Sequence, residues 1–254
     1  MVYSSLQLRE IFHLEFLRWF CRKIKTGHFA LKGGANLRFF FKSNRYSEDM
    51  DIDIQKIRVE ALKKVVMEIL ESPSFQESFI TFGITQIIPP DIRRAKQTET
   101  TQRFKVHLIT GSGEDLFTKI EFSRRGIKGK VVVQSVSTPI LRVYKVSPLL
   151  IPHYAVQAAI IQKIDAIVTR SIIQPRDIFD LYVLIPQYNP DDTEGMKINR
   201  AKLNLAYDNV FEVEFKQFRD TVIPYLPPDD QSFYNSATSW DEIKFRVANF
   251  IEEL

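Results

Sequence analysis

The sequence has one cysteine and no long hydrophobic run, and these two shortages exclude several classes of protein. Cys21 cannot form an internal disulfide, which excludes disulfide-stapled domains and fits a reducing compartment. No apolar stretch approaches the roughly 20 residues that are needed to cross a bilayer. Residues 1–10 lack the charged and then apolar layout of a signal peptide, so we expect a cytoplasmic protein.

The chain also lacks a large excess of charge of either sign. Its 254 residues carry 35 Lys and Arg against 31 Asp and Glu, which gives a formal net charge of +4. This balance permits a nucleic-acid partner but does not require one. A hydrophobic content of 44% and a charged content of 26% are those of an ordinary globular protein, and the length allows one large domain or two small ones.

Hydrophobic periodicity divides the chain into two halves. In the first half, helical spacing alternates with strand-like segments, at 28–31, 50–54, 79–88, 104–109, 116–122 and 131–136. Beyond a segment with two prolines, 147–152, the spacing is helical over 154–170, 176–185, 199–222 and 240–252. We therefore predict an α/β (α+β) fold, with a mixed-sheet domain over residues 1–147 and an all-helical domain over residues 148–254.

The most informative segment alternates carboxylates with apolar residues. Asp49, Asp51 and Asp53 are spaced by two, so on a strand their side chains leave one face. Three like charges on one face repel each other unless a cation neutralises them. Mg²⁺ suits such a place because it binds carboxylates together with substrate phosphates, as in phosphoryl transfer. The alternative is a solvated strand face, although acids are depleted in strands.

A glycine pair precedes the acidic strand. Gly33 and Gly34 lie at a predicted strand-to-helix turn, where backbone amides can approach a phosphate closely. A purely structural turn is the alternative. Fourteen residues separate Gly34 from Asp49, which is enough for one short helix and a return to a neighbouring strand. We therefore expect the glycine amides and the acids at the same edge of the sheet.

Further charged residues can complete such a site, and each has an alternative reading. Glu121 supplies a third carboxylate if its strand neighbours the acidic one, and Lys119 then shares its face; a cross-strand ion pair is the alternative. Lys163 lies on a predicted helix whose charged face could simply be solvated. Asp177 lies in the first turn of the next helix, where an acid is favourable to the helix dipole in any case.

These motifs resemble those of the AbiEii/AbiGii toxin family of nucleotidyltransferases, which includes MenT-type toxins. Residues 29–34 (Phe-Ala-Leu-Lys-Gly-Gly) and 45–52 (Arg-Tyr-Ser-Glu-Asp-Met-Asp-Ile) look like the family's first motif. Residues 119–121 resemble the second motif, Lys163 the helical lysine, and residues 176–181 the Arg-Asp-x-x-Asp-Leu signature. One departure is the distance from Gly34 to Asp49, which is slightly longer than the general nucleotidyltransferase pattern.

The resemblance implies a role for each matching residue. It implies Mg²⁺, with Mn²⁺ as a substitute, held by Asp49, Asp51 and Glu121, which also act in catalysis. Lys163 and Asp177 are then further catalytic residues. The implied substrate-binding residues are Lys32, Gly33, Gly34, Ser47, Lys119, Arg176 and Asp180. Asp53 falls outside the motif, as a spectator at the strand end that faces water.

The implied activity is transfer of a nucleoside monophosphate from an NTP to an acceptor, which we expect to be the 3′ end of a tRNA or another RNA. The resemblance also implies a toxin with a cognate antitoxin. A metal-dependent nuclease is an alternative, although Lys119-x-Glu121 reverses the usual Glu-x-Lys order. A non-catalytic nucleotide-binding or nucleic-acid-binding module and a transfer of the terminal phosphate to a partner are the others.

Overall fold

The computed structural model describes residues 3–192 and 198–254, which form two compact units. The first unit consists of the chain up to Asn36, Tyr46–Lys128 and Val132–His153, and the second of Leu37–Arg45, Gly129–Val131 and the chain from Tyr154 onward. Two short parts of the chain lie outside the described residues. They are Met1 and Val2, which belong to the N-terminal segment 1–10 discussed above, and residues 193–197, which belong to the predicted helical domain. The domain boundary at 147/148 stays a prediction.

Helices and strands alternate in the first part of the chain, and helices follow. The strands are β1 (Phe29–Lys32), β2 (Met50–Ile54), β3 (Ile84–Ile88), β4 (Thr101–Thr110), β5 (Asp115–Ser123), β6 (Val131–Ser135) and β7 (Leu150–Tyr154). The helices are α1 (Ser5–Lys23), α2 (Gly33–Phe40), α3 (Val59–Leu70), α4 (Pro73–Glu77), α5 (Thr138–Tyr144), α6 (Val156–Thr169), α7 (Pro175–Leu184), α8 (Arg200–Phe211), α9 (Phe215–Thr221), α10 (Pro228–Tyr234) and α11 (Ala237–Glu253). None of the helices in the described ranges is long and apolar enough to cross a membrane.

The strands form one mixed sheet in the order β3-β4-β5-β2-β1-β7-β6. The acidic strand β2 lies in its middle, antiparallel to β1 and parallel to β5. β1 in turn runs parallel to β7. The predicted fold class, a mixed sheet with a following set of helices, is confirmed, and the topology places the strand that leads into the glycine pair beside the acidic strand.

Aromatic side chains fill the core of the first unit. On α1, Phe12, Phe16 and Phe20 recur every four residues, and their stacked ring centroids lie 6.3 and 5.7 Å apart. All three are fully buried. Phe20 also contacts Phe29 on β1 and Phe122 on β5, with ring centroids 5.0 and 5.4 Å away. Because four-residue spacing places side chains on one helix face, this stripe packs α1 onto the centre of the sheet.

The second unit has its own core, which is built from α6–α11 and Leu37 of α2. Trp240 of α11 is fully buried and stacks on Phe218 of α9, with ring centroids 4.3 Å apart and the planes 13° from parallel. Its indole nitrogen donates a hydrogen bond of 2.9 Å to the carbonyl oxygen of Val213. A buried indole N–H needs such a partner, so this bond fixes α11 against the loop before α9.

Two sequence predictions of secondary structure are wrong in part. The predicted all-helical segment 148–254 begins with strand β7, whose pairing with β1 satisfies its backbone and outweighs the loop signal of its proline. In the predicted strand segment 79–88, only Ile84–Ile88 is a strand. The residues before it form a 3₁₀ turn that ends at Gly83, whose φ of 92° is favourable only for glycine. Helices α4, α5 and α10 were not predicted from the sequence.

Candidate active site

β2 and β5 bring two of the predicted acids side by side. Asp51 is in register with Glu121 on β5 and with Lys32 on β1, and Asp49 lies one residue before β2 begins. Residues in register on neighbouring strands lie about 5 Å apart and leave the same face of the sheet. The predicted adjacency of the acidic strand and the Glu121 strand is therefore confirmed.

Three of the four carboxylates in this region have a cationic partner. The ion pairs are Asp49–Lys119 at 2.9 Å, Asp53–Lys32 at 2.6 Å and Glu121–Arg103 at 2.5 Å, and Lys119 lies 3.9 Å from Glu121 as well. The expectation that Asp53 faces water is wrong, because its residue is only 7% exposed and its carboxylate is bound by Lys32.

Asp51 is the carboxylate of the four without such a partner. Within residues 3–192 and 198–254, no side chain makes an ion pair with it and no group donates a hydrogen bond to it. Burial raises the pKa of Asp51, and the nearby Glu121 and Asp49 carboxylates raise it further, while Lys32 and Lys119 act in the opposite direction. A desolvated carboxylate beside two others, with no direct counter-charge, is electrostatically suited to a cation.

The donor set fits a hard divalent cation in its chemistry, since Asp51 and Glu121 offer oxygen atoms on one face of the sheet. The site is not preformed in full. No three acidic, histidine or cysteine side chains in the described part of the chain stand in the arrangement of a metal centre. Asp49 and Glu121 are held by Lys119 and Arg103 instead, so a bound cation would compete with these two side chains for the carboxylates.

The backbone at Gly33 approaches the Asp51 carboxylate closely. Gly33 has a φ of 68°, and a Cβ atom built on it would lie 2.8 Å from Asp51 Oδ2. α2 begins at this glycine, and the amides of the first turn of a helix have no partner within the helix. Such amides attract anions, and phosphate groups in particular. Gly33 and the Asp51 carboxylate therefore lie together, and the binding of a phosphate by the glycine amides stays a prediction.

We expect Gly33→Ala to reduce nucleotide transfer by at least about tenfold and to destabilise the protein by about 1–2 kcal/mol. The left-handed backbone penalises any side chain by roughly this energy, and the new methyl group would displace the Asp51 carboxylate. Thermal unfolding and a transfer assay measure the two effects. Gly27→Ala is the matched control, because nothing lies within 4 Å of its Cβ position. If the two variants had equal stability and equal transfer rates, the proposed role of Gly33 beside Asp51 would be contradicted.

Ser47 fixes the turn that leads into β2. Its hydroxyl donates a hydrogen bond of 2.7 Å to the carbonyl oxygen of Asp49, and the hydroxyl of Thr118 on β5 donates one of 2.6 Å to the carbonyl oxygen of Glu48. These bonds hold the backbone that carries the first acid. The geometry therefore gives Ser47 a positioning role in addition to the substrate-binding role predicted from the sequence.

The predicted residues of the helical half form a buried ion network in the second unit. The contacts are Lys163 Nζ to Asp177 Oδ1 at 2.9 Å and to Asp180 Oδ2 at 2.5 Å, Arg45 to both oxygens of Asp180 at 2.9 Å, and Arg170 to Asp177 at 3.0 Å. A solvated helix face for Lys163 is therefore excluded. The network joins α6 to α7, whereas Arg176 on α7 is exposed.

Electrostatics keep this network charged. Burial alone would lower the pKa of Lys163, but the carboxylates of Asp180 and Asp177 outweigh it and raise that pKa above its usual value. Burial likewise acts to raise the pKa of Asp180, and Arg45 and Lys163 outweigh it and lower that pKa. Asp180 is fully buried, so its carboxylate holds the protein together and offers no open surface to a substrate.

Two arginines of these clusters carry more than the sequence reasoning assigned to them. The sequence pattern gives no role to Arg103 on β4, which is in register with Glu121 on β5, although extending the alternation of 104–109 by one residue would find it. The pattern gives Arg45 no role beyond its place in the first motif. Its bidentate pairing with Asp180, 135 residues along the chain, has no local sequence signal.

The sequence matches a known family over most of its length. Residues 15–243 match the family described as nucleotidyl transferase AbiEii toxin, type IV TA system. No curated protein matches the chain.

Three solved structures have a similar fold. MenT4, a nucleotidyltransferase toxin from Mycobacterium tuberculosis H37Rv, is 16% identical with a TM-score of 0.62, over 98% of this chain and 85% of that one. JHP933 from Helicobacter pylori is 19% identical with a TM-score of 0.52, over 100% and 96%. A putative nucleotidyltransferase from H. pylori is 18% identical with a TM-score of 0.52, over 96% of each chain. At these identities the likeness shows the fold, whereas the family match shows membership: the chain belongs to the AbiEii nucleotidyltransferase toxin family of type IV toxin–antitoxin systems.

Proposed function

We propose that this nucleotidyltransferase moves a nucleoside monophosphate from an NTP to the 3′ end of an RNA, with tRNA as the first acceptor to test. The observation that carries the proposal is the contact between the start of α2 and the acidic strand. There Asp51, which has no ion-pair partner among the described residues, lies against the backbone of Gly33. A phosphate-binding helix start beside a cation-binding carboxylate is what an NTP with its metal ion requires.

The residues of the first unit have different proposed roles. Gly33 and Gly34 offer backbone amides to the triphosphate, and Lys32 and Lys119 add positive charge beside it. Asp49, Asp51 and Glu121 would hold Mg²⁺, or Mn²⁺ in its place, which neutralises phosphate charge when it is bound. Glu121 also orients the acceptor hydroxyl by accepting its hydrogen bond and, in the transfer, its proton. The hydroxyl oxygen forms the new bond to the α-phosphorus, the bond from the α-phosphorus to the α–β bridging oxygen breaks, and pyrophosphate leaves.

The second unit contains an exposed arginine and two helices, α6 and α7, that a buried ion network joins. Arg176 is exposed and suited to a phosphate group of a substrate. Lys163 is proposed to act in catalysis, and Asp177 and Asp180, whose carboxylates are both buried, to hold it in place through ion pairs of 2.9 and 2.5 Å. A toxin of this family also implies a cognate antitoxin protein as a partner. We further propose a cytoplasmic location, where NTP and RNA are both available.

The decisive experiment incubates the purified chain with total RNA, Mg²⁺ and each of the four NTPs in turn, labelled on the α- or on the γ-phosphate. We expect the α-label to enter RNA and the γ-label to leave as pyrophosphate. EDTA should abolish labelling, and Mn²⁺ should restore it. Label in RNA or protein from the γ-phosphate alone would instead indicate transfer of the terminal phosphate. If no NTP labels RNA while a related toxin does so in parallel, the proposal fails.

A further inference from the structure

The second unit contains an aromatic pocket on the surface formed by α7, α10 and α11. It has a volume of about 280 Å³, at the small end of the range for ligand sites, which is roughly 300–1,000 Å³. Its wall consists of Phe41, Lys42, Asn44, Phe179, Tyr182, Val183, Ile185, Pro186, Gln187, Tyr234 and Arg246. A pocket of this size has room for one planar ring system and little more.

Four aromatic residues line this pocket, Phe41, Phe179, Tyr182 and Tyr234, and we call it the aromatic pocket throughout. Phe179 is buried, and Tyr234 meets it edge to face with ring centroids 5.4 Å apart. Tyr182 and Tyr234 are only partly buried, so parts of their rings line open space. Burial and the neighbouring Tyr182 raise the pKa of Tyr234 to about 12, so its phenol stays neutral.

Cations lie at the same pocket. The guanidinium carbon of Arg246 lies 5.9 Å from the centre of the Tyr182 ring, and the exposed Lys42 comes from the segment after α2. Arg246 also pairs with Glu242 on its own helix at 2.6 Å, but no carboxylate is among the lining residues that the structure describes. Lys42 adopts the left-handed conformation with a φ of 58°, which is uncommon for a residue other than glycine and is often found at functional positions.

We propose that the aromatic pocket binds one unstacked nucleotide of a single-stranded RNA end, and this rests on the proposed transfer to RNA. Tyrosine faces stack on nucleobases, and an arginine on the same ring adds a cation–π contribution. Lys42 and Arg246 supply positive charge for the phosphate. The amides of Asn44 and Gln187 offer both donors and acceptors to the edge of the base. A lipid tail would leave these cations and amides unused.

The test measures binding of a fluorescently labelled short single-stranded RNA to the full chain by anisotropy, without NTP, so that no transfer occurs. We expect Tyr182→Leu and Arg246→Gln each to weaken binding by on the order of tenfold, because each removes a stacking or charge contact. The matched control for Tyr182→Leu is Phe245→Leu, which changes an exposed aromatic residue on α11. The matched control for Arg246→Gln is Arg219→Gln, which changes a half-exposed arginine elsewhere in this unit. Both should bind as the unsubstituted chain does, and thermal unfolding should show that all four variants are folded.

Two further binding measurements distinguish a single-stranded RNA end from a duplex and from a free nucleotide. The same RNA annealed into a blunt duplex should bind more weakly, because its bases are stacked and paired. A free nucleoside triphosphate should compete poorly at the aromatic pocket. If Tyr182→Leu and Arg246→Gln weaken NTP binding and leave RNA binding unchanged, or if the chain does not bind the RNA at all, the inference is overturned. Failure of the transfer assay with pocket-dependent RNA binding intact would instead overturn the proposed function alone.

Discussion

Asp51→Asn is expected to lower nucleotide transfer by at least about 10³-fold while leaving the fold intact. Loss of one charge-stabilising group from an active site typically costs about 10²–10³-fold, and Asp51 is proposed to supply both a metal ligand and the wall of the phosphate site. The measurement is the initial rate of α-label transfer to RNA at saturating NTP and Mg²⁺. The loss should appear in kcat and should not be recovered by raising the NTP concentration.

The same variant is expected to unfold at an equal or higher temperature than the unsubstituted chain at neutral pH. Burial raises the pKa of Asp51, so the ionised carboxylate costs the folded state free energy, and a neutral amide relieves that cost. Asp53→Asn is the contrasting control. It removes the 2.6 Å ion pair with Lys32, so it should lower stability while transfer falls less than about tenfold. A destabilised Asp51→Asn variant with near-normal transfer would show that Asp51 is a structural residue.

The sequence was sufficient for the layout of the acidic site but not for its electrostatic state. Alternation in Met50–Ile54 and in Asp115–Ser123 is a local property, so both strands and their facing acids could be predicted. Pairing of Asp49 with Lys119 and of Glu121 with Arg103 depends on which strands become neighbours and where their side chains end. Only the register of the folded sheet determines that, and it leaves Asp51 as the acid that needs a cation.

The helical half of the chain shows the same limit of sequence-based prediction, because residues whose spacing is compatible with a solvated helix face are buried. Spacing alone placed Lys163 and Asp177 on helices and favoured solvated or dipole-stabilising roles for them. The contacts among Lys163, Asp177, Asp180 and Arg45 are tertiary, and they convert ordinary charged positions into a buried network. Local patterns also failed at β7, where pairing with a distant strand overrides the loop signal of Pro152. Sequence patterns report local preference, and these features are decided by partners far along the chain.

Asp180→Asn is expected to destabilise the protein by about 3–5 kcal/mol, the usual cost of removing one member of a buried ion pair. Arg45 and Lys163 would both lose a carboxylate partner and stay buried in a network with Asp177 as its remaining acid. Thermal and urea unfolding measure the loss. Asp220→Asn is the control, because its pair with Arg219 is half exposed and should contribute less than about 1 kcal/mol.

The pH dependence of this loss identifies its cause. The Asp180 pKa is lowered in the folded state, so its stabilisation is complete above about pH 4, where the unfolded chain is also ionised, and is lost as pH falls through the folded pKa. The difference in unfolding free energy between the unsubstituted chain and Asp180→Asn should therefore be constant near neutral pH and shrink on acidification. In a double-mutant cycle, Arg45→Met should cost less in the Asp180→Asn background than alone, because the two residues act as one unit. Additive losses with no pH dependence would instead mean that Asp180 stabilises the protein by packing rather than by charge.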